Sequence, residues 1–177
     1  MWKQITWLLL MALLALPLAA TGKLSELLSR NPIWLQTPIQ WERAPRDVNP
    51  KSSAAFAVAV YFRDDGKFGM ISGTFYRQDG KITASAGDSE SVCHGKWTLQ
   101  GEKIHVTYQL VYRDLKIEGQ SLPGPLNEMD FWWDEKKKEL KVSGAKDGRL
   151  HSERFAVNPA LSNAGVEAQI LLDRQWD

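Results

Sequence analysis

Acid, hydroxyl and imidazole meet at one place in this chain. Asp88, Ser89 and Glu90 precede His94 by a few residues, and these are the residue types of a Ser-His-Asp triad. A serine of that kind needs a strained turn such as G-x-S-x-G to expose it, and neither Ser89 nor Ser91 is flanked by those glycines. The segment therefore reads as a turn rich in hydrogen-bonding residues. Cys93 beside His94 has the types of a thiolate–imidazole pair, but neighbours on a strand point to opposite faces. Cys93 is expected to be a buried, inert thiol. His94, His105 and His151 are scattered with no H-x-H or HExxH spacing, although His94 and His105 could meet across a hairpin on its outer face. Asp64-Asp65-Gly66 lacks the later acidic positions of a calcium loop. Lys136-Lys137-Lys138 lies between Glu135 and Glu139, so the charges cancel locally and a solvated hairpin tip is expected. No catalytic residue, metal ligand or cofactor site is assigned, and the chain is expected not to be an enzyme.

The totals supply no catalytic signature either. Basic and acidic residues number 22 and 21, a net charge of +1, which gives no field of one sign to attract nucleic acid. A single cysteine excludes an intramolecular disulfide and a thiolate metal cluster. At 177 residues and 44% hydrophobic, the chain fits one globular domain. Lys3 precedes the uncharged run from Ile5 to Ala20, which contains Pro17 and closes on Ala19 and Ala20, the layout of a secretory signal peptide. That run is shorter than the roughly 20 residues that span a bilayer. Residues 1–20 are expected to be removed and the protein exported, periplasmic or secreted. Membrane attachment follows only if they persist as an anchor. Their removal takes away Lys3 and no acid, so the remaining chain is neutral.

Two regimes follow. In 22–30, Leu24, Leu27 and Leu28 have helical spacing. Pro32, Pro38, Pro45 and Pro50 then forbid a long helix or a central strand, so 31–52 reads as an extended cover segment pegged by Trp34 and Trp41. From Ser53 the period becomes two, and the runs are closed by turn residues: 54–63, 68–77, 81–86, 92–99, 103–113 (with 115–118 extending or following it), 128–133, 139–143 and 149–157. Turns are expected at Asp64-Asp65-Gly66, Asp79-Gly80, Gly87-Asp88, Gly101, Pro123-Gly124-Pro125 and Asp147-Gly148. Gly73, Phe75, Gln78, Lys81 and Ile82 recur, with Trp in place of Phe, as Gly95, Trp97, Gln100, Lys103 and Ile104, which suggests two hairpins of one construction. Residues 159–176 place Leu161, Ala164, Ala168 and Leu171–Leu172 on one stripe, and a second helix is expected there.

The expected fold is mainly β: one antiparallel up-and-down meander of about eight strands closing into a barrel, with short N-terminal and C-terminal helices. Parity assigns its faces. Ile104, Val106, Tyr108, Leu110 and Tyr112 share one side, with Cys93, Gly95, Trp97 and Leu99 and with Met129, Phe131 and Trp133; His94, His105 and Trp132 take the other. A barrel of eight strands is either filled by side chains or holds one small ligand. Trp97, Tyr108, Tyr112, Phe131 and Trp133 are the candidate ligand-binding residues, suited to a small apolar ligand.

An export signal, a short helix, an eight-strand meander and a final helix together resemble a lipocalin-type (calycin) barrel over about residues 53–173. The resemblance is architectural. The Gly-x-Trp of lipocalins is absent at the first strand, where Ile39 stands two before Trp41, and Gly95-Lys96-Trp97 falls mid-chain. The resemblance implies a carrier or binding protein. The other expectation is an interaction module of the cell envelope with a filled core, using Trp132, Trp34 and Trp41 against a protein partner.

Overall fold

The structure, a computed structural model, describes residues 22–44, 52–117, 120–143 and 154–161, and the side chains of all of these but 85–91 and 110–124. Helix α1 covers 22–30 and is followed by strands β1 (Ile33–Gln36), β2 (Glu42–Arg43), β3 (Ser53–Phe62), β4 (Lys67–Gln78) and β5 (Lys81–Gln100). Strands β6 (Lys103–Ile117), β7 (Gln120–Asp134), β8 (Glu139–Ser143) and β9 (Arg154–Ala156) complete the sheet. From β3 to β9 each strand pairs antiparallel with the next, as the period-two runs require. β1 then pairs with β9 on one side and with β3 on the other, which closes eight strands into a barrel. β2 is a two-residue flank farther along the same edge of β3.

The turns follow from their residues. Asp79 and Gly80 both have positive φ, at 49° and 76°, the primed geometry that matches strand twist in a two-residue hairpin. Gly101 turns the next hairpin with φ 67°. At the β7–β8 tip the Asp134 carboxylate accepts from the backbone N–H groups of Lys136 and Lys137, so the three lysines form the solvated tip expected.

Three expectations are corrected. The proline-rich lead-in does contain a central strand: β1 fits between Pro32 and Pro38, where none of its own N–H groups is missing, and Trp34 points into the barrel instead of pegging a cover. Gly87-Asp88 is not a turn, because β5 runs unbroken through it and takes up the extra residues in two register shifts opposite Ser72–Phe75 of β4. Pro123-Gly124-Pro125 is likewise not a loop but lies within β7, paired with β6 across two register shifts. The number of staves is thus eight because β1 joins while two expected runs fuse. The expected C-terminal helix lies outside the described residues beyond Leu161; Pro159–Ala160 forms a turn and Leu161 bridges to Ile82. The expected turn at Asp147-Gly148 also lies outside the described residues.

Burial is two-sided on part of the wall. Inside, Trp34, Val58, Val60, Phe62, Phe68, Met70, Cys93, Ile104, Val106, Tyr108, Met129, Phe131, Leu140 and Phe155 form one core, with Leu24 and Leu28 of α1 across its end. Outside, Ile33, Leu35, Ala57, Ala59, Ile71, Phe75, Ile82, Val92 and Leu161 form a second, flanked by Ile39 and Trp41. The Ala-Val alternation of β3 explains this: valines fill the interior, and alanines let the outer cover come close. Cys93 is buried in the inner core as expected.

Two contacts are diagnostic. Val58 N–H donates 3.0 Å to the side-chain Oε1 of buried Gln36, where β1 ends and the chain turns off toward Pro38. Gln36→Met, similar in shape but without the acceptor, leaves that buried N–H unpaired and should lower unfolding free energy by about 1–3 kcal/mol in urea denaturation. A Cβ at Gly95 would lie 2.0 Å from the Thr107 carbonyl oxygen and 2.7 Å from Tyr108 Cα, both backbone atoms that cannot move aside. Gly95→Ala should cost about 2 kcal/mol or more by the same measurement.

Candidate functional site

The inner rings pack against one another. Phe131 lies 5.4 Å from Phe62, 6.3 Å from Phe68 and 5.8 Å from Phe155, and Tyr108 lies 6.4 Å from Phe68. These spacings are those of touching aromatic rings, so Tyr108 and Phe131 are core rings at this end of the barrel. Trp97 is half-buried, edge-on to Phe62, and its indole N–H donates 2.8 Å to the Arg63 carbonyl, which ties β5 to the β3–β4 turn. Tyr112 lies outside the described side chains. Trp133 differs from the other four. It stands at the barrel mouth beside α1 and lines two clefts there.

The wider mouth cleft holds about 520 Å³ between α1 and the β7–β8 tip. Its walls include Leu27, Asn31, Trp34, Trp133 and Val157. Trp34 meets Trp133 edge-to-face, with centroids 5.8 Å apart at 77°. Trp34 is fully buried, and its Nε1 has no acceptor among the described residues. A buried donor left unpaired costs about 1–3 kcal/mol, so it is a site that an acceptor would stabilise. The Trp133 N–H, by contrast, is taken by Glu135.

Glu135 organises the rim. Lys138 donates to it at 2.7 Å and Lys23 of α1 at 2.8 Å, and these bonds with that of Trp133 hold its carboxyl down at about 2, well below the usual carboxylate range. Arg30 pairs with Glu26 within α1, and the Lys138 ammonium lies 5.9 Å from the Trp133 ring centroid. A smaller cleft of about 320 Å³ adjoins this one, lined by Leu24, Leu27, Glu102, Trp132 and Trp133. Trp132 is 38% exposed there, on the outer face as parity requires. Trp41 is half-buried in the outer core with the Arg77 guanidinium 4.8 Å over its ring.

A second polar group lies on the outer wall. His105 and Asp130 are cross-strand partners on β6 and β7, and His105 Nδ1 lies 2.8 Å from the Asp130 carboxylate, with Lys103 at 3.0 Å. Burial raises the Asp130 carboxyl, but the bonds from His105 and Lys103 outweigh it and the net shift is downward. An ionised carboxylate only accepts, so the imidazole carries its proton on Nδ1. Thr98 and Ser143 flank the pair across the sheet, and neither hydroxyl is hydrogen-bonded to the imidazole among the described residues. His94 pairs with Gln109 and His105 with Thr98, so the two histidines do not oppose each other. The side chains of Asp88, Ser89 and Glu90, and His151 altogether, lie outside those described. Among the described residues no cluster of three metal-ligating side chains occurs.

The place of Trp133 against the inner core was legible from its strand parity. Lys23, Glu135 and Trp34 were not, because Lys23 and Glu135 are 112 residues apart and their meeting is a product of barrel closure. No protein-family model, curated protein or solved structure matches this chain. The architecture is a closed eight-stranded antiparallel barrel, with one short helix among the described residues.

The Glu135 carboxyl is depressed in the folded state, so its contribution is complete above its ordinary value of about 4.5 and is lost as pH falls toward 2. Acidification across that window should loosen α1 from the tip, read as faster amide exchange in 22–30. Glu135→Gln should remove most of that pH dependence; an unchanged profile would refute this role.

Proposed function

We propose that the protein is an exported, non-catalytic, lipocalin-like binding protein that takes one small, largely apolar ligand at the mouth of its barrel. The observation that carries this reading is Trp34: it lines an apolar-sided cleft, and its buried indole N–H has no acceptor among the described residues. A volume of about 520 Å³ suits one small molecule, and pockets of that kind join apolar walls to a few oriented polar groups. Trp133 supplies the flat wall. Trp133 in turn packs against the inner core that holds Tyr108 and Phe131. Export is supported by the signal layout of residues 1–20, and a buried Cys93 is compatible with an oxidising compartment because the sequence holds no second cysteine to form a disulfide with it.

A second reading keeps one observation of its own. Trp132 offers an exposed indole beside Leu24 and Leu27, a surface for a protein partner in the cell envelope. Trp34 does not share in it, being buried, and Trp41 is half-buried under Arg77.

Native mass spectrometry of the full chain purified from its own host tests the first reading. A bound small-molecule mass is expected, lost in Trp133→Ala and kept in Trp132→Ala. An empty wild-type protein, or a mass indifferent to Trp133, would sink the mouth site. Co-purification of a protein that Trp132→Ala alone releases would favour the second reading.

A further inference from the structure

Resting on the mouth cleft as a ligand site, we propose that its ligand presents an uncharged acceptor of the ketone, ester or amide carbonyl type to Trp34 Nε1. An indole N–H can only donate, so whatever satisfies it must accept. The choice between a neutral acceptor and an anion is decided by burial. Trp34 is closed to solvent, and stripping water from a carboxylate costs far more than stripping it from a carbonyl unless a cation is there to pair with it. No cation lines that depth. Lys23, Arg30 and Lys138 all stand at the rim, more than half exposed, and each is already paired, Lys23 and Lys138 with Glu135 and Arg30 with Glu26. Three cations against two acids, all in water, leave little field to select an anion.

The rest of the cleft describes the ligand's body. The Trp133 ring, Leu27 and Val157 form apolar walls beside Trp34, which suits a flat or aliphatic group. Because Nε1 is enclosed, the acceptor reaches it only as α1 gives way. α1 is a short helix held by Leu24 and Leu28 on its buried side and by the exposed Lys23–Glu135 pair at its start. Helices of this length have little stability of their own, so what holds α1 there is the burial of Leu24 and Leu28, which the bound ligand's own buried area must offset. A fatty-acid headgroup would not seat on Trp34; it would remain at the rim.

Three probes sharing a phenyl body separate the possibilities: acetophenone, ethylbenzene and benzoate. They are titrated into the full chain labelled with ¹⁵N in its tryptophan side chains, with Trp34→Phe identifying the Trp34 indole resonance. Acetophenone is expected to move the Trp34 Nε1 proton downfield, and the other two are not. Trp34→Phe should lower the affinity for acetophenone relative to ethylbenzene by about fivefold, the worth of one hydrogen bond. Should that variant fail to fold, the wild-type shift, assigned through contacts to the Trp133 ring, decides alone. If acetophenone perturbs Trp133 but leaves the Trp34 proton in place, the acceptor proposal falls and the cleft reading stands. A downfield shift with benzoate overturns neutrality. No perturbation of either indole by any probe overturns both.

Discussion

β1 contributes four residues, yet barrel closure depends on them. Their backbone pairs with Ala59–Tyr61 of β3 on one side and with Phe155–Ala156 of β9 on the other. Without β1, the first and last strands of the meander would each present an open edge, with its unpaired backbone groups. The same four residues supply both cores, Trp34 inward and Ile33 and Leu35 outward. The chain leaves β1 through the cis Thr37–Pro38 peptide, and the ladder is continued by other means: Thr37 N–H reaches the Arg154 carbonyl, and the Gln36 side chain serves Val58.

This closure also makes the mouth. α1 ends at Asn31, where the backbone N–H and the side chain both bond to the Leu27 carbonyl, and the chain enters β1 two residues later. A helix so tightly coupled to the closing strand must lie across the barrel end. Its leucines cap the inner core while its polar side faces the β7–β8 tip. The ion pairs at that tip are exposed to water, so they contribute little to stability. What they fix is position. Glu135 gathers a helix lysine, a tip lysine and the Trp133 indole on one carboxylate, and so sets the cleft's outer rim.

Two polar groups among the described residues have different surroundings. His105 and Asp130 pair on the outer wall, in a cleft of about 430 Å³ shared with Leu126, Met129 and Ser143, with a carboxylate to orient the imidazole but no hydroxyl hydrogen-bonded to it among the described residues. That arrangement satisfies charges on a sheet surface. The mouth instead combines apolar walls with a buried indole donor that has no acceptor among the described residues.

Much of the barrel was written in the sequence because strand parity and hairpin turns are local. Alternation from Ser53 onward placed Ile104, Val106, Tyr108, Met129 and Phe131 inside and His105 and Trp132 outside, since successive side chains must take opposite faces. Asp79-Gly80 and Gly101 marked their turns because few residues adopt positive φ. The leucine spacing placed α1 at 22–30. What depended on contacts between distant segments was decided only by the tertiary structure. Prolines announce where a strand cannot pass, but not that four residues between two of them will bridge both ends of a sheet. Gly87-Asp88 has the letters of a turn, yet the strand continues through it because Ala84 on one side and Ser89 on the other both pair with β4. The mouth cleft depends on Lys23 meeting Glu135 and on Trp34 meeting Trp133, pairings set by where the barrel closes and carried by no local pattern.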